Sequence, residues 1–161
     1  MLFRSFLPRD LPMRLEEEIK QKKFRNESQK LAVNIIYTYN WLQSQHTAFF
    51  KSYGLTPQQF NVLRILRGMN GSPASIKLIR DRMLDKMSDT SRIIEKLRLK
   101  ELVERTTSSS DRRSCEVLVT SKGLKVLEKI DAANETLDSI FSAIQDNEMK
   151  SLNDLLDNLR G

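Results

Sequence analysis

The run from Ser75 to Thr120 constrains the fold most: two short amphipathic helices lie a few residues apart, and two strand-like runs around a polar tip follow at once. In Ser75–Met83, residues Ile76, Ile79 and Met83 fall on one helical face and the charged residues on the other. Ser75 is placed to cap that helix. Leu84-Asp85-Lys86-Met87 interrupts the pattern, and Ser88 or Asp89 offers the N-cap of a second helix running to about Lys100. In the second helix Thr90, Ile93, Ile94 and Leu97 fall inward, while Ser88, Asp89, Ser91, Arg92, Glu95 and Lys96 fall outward.

Leu102–Thr106 and Cys115–Thr120 are rich in β-branched residues and bracket the tip Thr107–Ser114, which predicts a hairpin with a longer loop. Each part alone also suits an ordinary solvated surface. Their order outlines a winged helix: small polar donors at a helix start, then Arg and Lys one turn later, suit a helix whose first turn enters a major groove. The candidate DNA contacts are therefore Ser88, Asp89, Thr90, Ser91, Arg92 and Lys96, joined by the tip cations Arg112 and Arg113.

These residues carry a resemblance. Gly54-Leu55-Thr56-Pro57-Gln58-Gln59-Phe60-Asn61-Val62-Leu63, the two helices, and Asp111-Arg112-Arg113 leading through Val119-Thr120 to Lys122-Gly123 resemble the multiple antibiotic resistance regulator (MarR) family from about Glu27 to the C-terminus. The family's wing pattern is Asp, any residue, Arg, then five residues before an apolar residue and Thr; Asp111, Arg113, Val119 and Thr120 match it. The resemblance implies that Asp111 helps to hold the wing and that Arg113 enters a minor groove. It also implies a homodimeric, DNA-binding transcriptional regulator, repressor or activator. Glu101 stands where the family commonly has Gly before the first wing strand. Glycine adopts the left-handed helix end without steric cost, so either the helix ends differently here or Glu101 tolerates the strain.

The chain of 161 residues suits one domain or one core with an arm. With 39% hydrophobic and 30% charged residues it is a globular sequence, and the wide helical stripes with few Gly and Pro predict a mainly α fold. Its net charge of +6 is unevenly spread. Residues 1–71 carry +6 and residues 72–114 carry +4, whereas residues 121–161 carry −3. The basic excess over the arm and winged segment points one face toward a polyanion; an acidic protein or a membrane surface is the competing partner. No apolar run approaches the roughly 20 residues of a membrane span, and the start is too short and interrupted for a signal peptide, so a cytoplasmic location is expected. Met13 is an alternative start, which would leave residues 1–12 outside the functional protein.

Four segments follow: an arm over 1–26, a long helix over 27–54, the winged helix-turn-helix over 55–122, and C-terminal helices over 123–161. Glu16–Arg25 reads as a frayed helix or an arm. In the long helix Leu31, Ile35, Tyr39, Leu42, His46 and Phe49 recur at spacings of three and four, widened by Ile36, Trp41 and Phe50. Tyr53-Gly54 ends it, and Thr56-Pro57 begins the next as N-cap and first helical residue. Ser72–Ala74 is a candidate third wing strand. Leu124, Leu127, Ile130, Leu137, Phe141 and Ile144 form one further stripe, and Met149, Leu152, Leu155, Leu156 and Leu159 another. Neither terminal segment can bury its apolar face alone, so a two-fold dimer through both chain ends is expected, with an intrachain bundle as the alternative.

No nucleophile with a base, carboxylate pair or phosphate loop stands at a useful spacing, so no enzyme is expected. One histidine and one cysteine exclude an internal disulfide and a structural zinc site, and no cofactor is expected. Cys115 alternates with Val117 and Val119 as a small buried hydrophobe would; a redox switch through it, or an adaptor binding an acidic protein, are the rival functions. The aromatic residues of the long helix suit core packing, or a pocket for a small aromatic effector. Tyr39, His46 and Phe49 are its candidate lining, and the family resemblance implies a phenolic or other aromatic carboxylate as the kind of ligand such a pocket would take.

Overall fold

The computed structural model describes residues 14–107 and 115–161. The elements are α1 (Leu15–Glu18), α2 (Glu27–Lys51), α3 (Pro57–Arg67), β1 (Ala74–Ser75), α4 (Ile76–Arg82), α5 (Thr90–Leu99), β2 (Val103–Thr107), β3 (Cys115–Val119), α6 (Ser121–Asp131), α7 (Asn134–Asp138), a single 3-10 turn at Ser139–Phe141, and α8 (Asp146–Arg160). Two compact units result. One spans Gln43–Leu137; the other takes the chain up to Leu42 and from Asp138 to Gly161.

In the Gln43–Leu137 unit, local capping chemistry sets the helix starts. Thr56 accepts the Gln59 N–H at 3.2 Å while the Gln59 side chain takes the Thr56 N–H, a reciprocal box with Pro57 in the first turn. Ser75 accepts the Leu78 N–H at 3.1 Å, as its position predicts. Gly54 takes a φ of +69°, which ends α2 in the left-handed form. Ile79, Met83, Ile94 and Leu97 are buried with Val62, Leu63 and Leu66 of α3 and Leu127 and Ile130 of α6 in one core. Removing such packed side chains from water is the main favourable contribution to folding.

The sheet is antiparallel in the order β1-β3-β2, with Ala74 opposite Val117, Val103 opposite Val119 and Thr107 opposite Cys115. The third strand exists, at Ala74–Ser75. Val117 and Val119 point into the core and Cys115 is half-buried, the alternation expected of a strand with one covered face. Glu101 answers the question raised by its sequence position: it adopts the left-handed conformation, with φ of +62°. Its N–H donates to the Arg98 carbonyl at 2.8 Å and the Leu102 N–H to the Leu97 carbonyl at 3.0 Å, the paired closure of a Schellman motif. Thr120 Oγ1 donates to the Glu101 carbonyl at 2.8 Å, and Lys122 holds the Glu101 carboxylate at 2.6 Å. The geometry that glycine would give is kept.

In the other unit α1 is a single turn, joined to α2 by the Tyr37 hydroxyl on Glu18 at 2.7 Å and the Lys30–Glu16 ion pair at 2.5 Å. Leu31, Ile36, Tyr39 and Trp41 of α2 and Leu152, Leu155 and Leu159 of α8 are exposed, and α8 buries no residue. The stripe after Thr120 is not one helix. It breaks at Ala132, and the bonds at Ala133, Thr136, Ser142 and Ile144 reach back three residues. Asn134, Thr136, Asp138 and Ser139 crowd this stretch, and such side chains compete with the helical ladder. Among the described residues no helix is long and apolar enough to cross a membrane.

Candidate nucleic-acid interface

The turn between α4 and α5 is held by hydrogen bonds from its own residues and from α3. After the buried Met83, the Leu84 N–H donates to Oδ1 of Asn61 on α3 at 3.1 Å, and Asn61 is itself buried. Asp85 then folds over the turn: Oδ1 accepts the Met87 N–H at 3.0 Å and Oδ2 the Ser88 hydroxyl at 2.7 Å. The Ser88 hydroxyl, followed by the Met87 amide, holds the Asp85 carboxyl below the ordinary aspartate range. Asp89 caps α5 by accepting the Arg92 N–H at 3.0 Å. The cap is Asp89, the second of the two alternatives read in the sequence.

On α5 the predicted contact residues divide. Thr90 is 2% exposed and packs inward, as its apolar register predicts, so its hydroxyl faces no ligand. Ser91, Arg92 and Lys96 are exposed, and among the described residues their side chains make no hydrogen bond or ion pair. Arg98 differs: Glu95 takes it in a two-point contact of 2.8 and 3.0 Å and also stands 3.8 Å from Arg105. The Arg98 hydrogen bond holds the Glu95 carboxyl below its ordinary value. The two cations that remain uncommitted, Arg92 and Lys96, sit one turn apart on the outward face, where they add their charge to the field around the capped end of α5.

Three features escaped the sequence. Arg105 of β2 donates through Nε to Sγ of Cys115 at 3.1 Å, so the one thiol is joined to the wing's own strand. Lys100, at the C-terminal end of α5, donates to the Gly54 carbonyl at 2.6 Å and to Oε1 of Gln59 at 3.0 Å. Met87 and Leu84 expose apolar side chains from the turn. All three depend on partners or surfaces that residue spacing does not reveal.

Asp111, Arg112 and Arg113 lie outside the described residues. The flanking strands run to Thr107 and from Cys115, two positions that face each other in the sheet. Of the candidate effector residues, Tyr39 is exposed in the unit of the chain ends. In the other unit, His46 meets Phe50 edge-on with ring centroids 6.1 Å apart, and Phe49 meets Phe50 at 5.2 Å and Tyr53 at 5.3 Å. Phe50 stacks on Phe60 at 4.3 Å. Burial holds the His46 imidazole below its ordinary pKa.

The MarR family model matches residues 53–114, the span from the end of α2 to the wing. The HTH-type transcriptional regulator MhqR of Bacillus subtilis is 28% identical over 132 residues, covering 81% of this chain and 89% of that protein. A MarR variant from E. coli solved with operator DNA superposes with a TM-score of 0.76 at 19% identity, over 86% of this chain and 99% of that one. BpsR of Bordetella bronchiseptica, whose DNA binding is regulated by 6-hydroxynicotinic acid, gives 0.65 at 22% identity, over 80% and 99%. With the capped helix pair, the three-stranded wing and these likenesses in hand, residues 53–114 match the MarR family and the chain has the winged-helix fold of the solved MarR-type transcription regulators.

Proposed function

We propose that the protein is a homodimeric repressor acting in the cytoplasm, which binds a near-palindromic duplex site through α5 in the major groove and the wing arginines in the flanking minor groove. The observation that carries this reading is the outward face of α5, where Arg92 and Lys96 stand uncommitted while Arg98 and Arg105 are engaged by Glu95. Ser91 and Arg92 read base edges, and Lys96 and the helix start position the backbone. The uncovered apolar residues of α2 and α8 supply a surface for the second copy. Two copies then present α5 to half-sites roughly 34 to 36 Å apart.

A small aromatic compound adjusts this binding; the regulation of BpsR by 6-hydroxynicotinic acid and the rings around Phe50 support that part of the reading. The test is selection of duplexes from a random library by the full chain, followed by titration across salt. A two-half-site sequence, bound by a species of twice the chain mass with an affinity that falls as salt rises, is the expected result. Failure to enrich any duplex, with retention on an acidic protein instead, would return the basic face to the adaptor function. Release of the selected duplex by phenolic acids checks the effector.

A further inference from the structure

We propose that Met87 is a specificity-determining residue of this surface, reading the C5-methyl group of a thymine next to the bases met by Ser91 and Arg92. The inference rests on the reading above, with α5 in the major groove.

Met87 is 93% exposed and Leu84 81% exposed, more than any other large apolar residue among the described ones, and both stand in the turn that leads into α5. The exposed leucines of α8 recur at helical spacing and so form a stripe that another helix can cover. Met87 belongs to no such stripe. Nor is it exposed because its segment is loose. Its N–H is held by Asp85 at 3.0 Å, the next residue's hydroxyl by the same carboxylate at 2.7 Å, and the Ser88 N–H by the Asp85 carbonyl at 3.3 Å. Lys86 closes back on the Asp81 carbonyl, and Asn61 anchors Leu84. The backbone of Met87 is thus fixed two residues before the Asp89 cap, and its side chain projects from the end of the helix that meets the groove.

The chemistry of that groove leaves few partners for a thioether. Base edges there offer hydrogen-bond donors and acceptors, and the thymine methyl is their one apolar group. An unbranched side chain with three rotatable bonds and a polarizable sulfur adapts its tip to such a methyl without requiring the backbone to move. Leu84, three residues further from the cap, stands too early in the turn for the same base step. Cytosine at that position would remove the methyl and present an amino donor to an apolar side chain, so the preference is for T over C.

The experiment uses duplexes enriched by the full wild-type chain. Each thymine of the enriched site is replaced by uracil, which deletes only the methyl, and binding is followed by fluorescence anisotropy for wild type, Met87→Ala and Met87→Leu. The expected result is one thymine in each half-site whose replacement weakens the wild type about 3- to 5-fold, the factor that one buried methyl commands. Met87→Ala should be indifferent to the same replacement, and Met87→Leu should stay sensitive. Both variants should melt as wild type, since the exposed side chain adds nothing to the core. An enriched site insensitive to uracil at every thymine overturns the inference and leaves the DNA reading standing. So does uracil sensitivity that persists in a folded Met87→Ala. If wild type enriches no duplex, the DNA reading fails first and this inference with it.

Discussion

At the scale of single residues, the root of the wing shows how closely two backbones can be brought together. Gly123 opens α6 with its N–H on Thr120 Oγ1 at 3.0 Å, and a methyl group on it would collide with the Leu102 carbonyl oxygen and come within 2.8 Å of Val119. Gly123→Ala should therefore destabilise the protein by about 1–3 kcal/mol, as overpacking does, and thermal melting followed by circular dichroism measures it. His46 gives a pH dependence. Because burial lowers its folded pKa, the folded state resists protonation; stability is full above the unfolded value and is lost as pH falls through the folded one. Lowering the pH from about 7 to about 5.5 should then reduce the melting temperature of wild type more than that of His46→Phe, whose ring suits the same aromatic setting. Equal losses in the two proteins would mean that His46 titrates no differently in the folded state.

At the scale of elements, Arg92→Ala should weaken binding to the selected duplex about 5- to 100-fold while changing binding to random DNA much less, the cost of one good base contact. Equal losses on both would make Arg92 a phosphate-positioning residue. For the wing, Arg113→Ala should bind more weakly without unfolding, and its plot of log affinity against log salt should be shallower by up to about one unit. A folded Arg113→Ala that binds as wild type while Arg112→Ala fails would exchange their roles. The elements were legible in the sequence wherever the signal is local. Ser75, Thr56-Pro57 and Asp89 mark helix starts because a cap bonds within three residues of itself. What spacing could not show depends on chain folding. Asn61 holds a residue 23 positions away, Lys100 one 46 positions away, and the C-terminal stripe breaks in a stretch crowded with hydroxyl, amide and carboxylate side chains that compete with the helical ladder.

For the whole molecule, the uncovered leucines of α8 and the apolar residues of α2 predict that association depends on the chain's end. Removing residues 147–161 should convert the proposed dimer to a monomer or an aggregate in analytical ultracentrifugation and abolish tight binding to the selected duplex, because each half-site alone would supply too few contacts. A soluble truncated dimer with normal affinity would place the partner surface elsewhere. The charge distribution belongs to this scale as well: the basic excess lies over the arm and winged segment, and the acidic excess over the last 41 residues, so polyanions are drawn to one part of the chain and repelled by the other.

The Lys100 ammonium also makes α5 a lever with a known pivot. It pins the C-terminal end of the helix to the Gly54 carbonyl at the corner where α2 ends, while among the described residues the Asp89 end has no comparable tether to that corner. Ten residues at 1.5 Å each give an arm of about 15 Å, so a rotation of about 5° at the pivot swings the far end by about 1.3 Å. A base contact tolerates a few tenths of an ångström before its hydrogen bonds lengthen out of range. On the function proposed above, a slight repacking of the rings at Phe50 and Tyr53 would be enlarged along this arm at the end of α5 assigned to the groove.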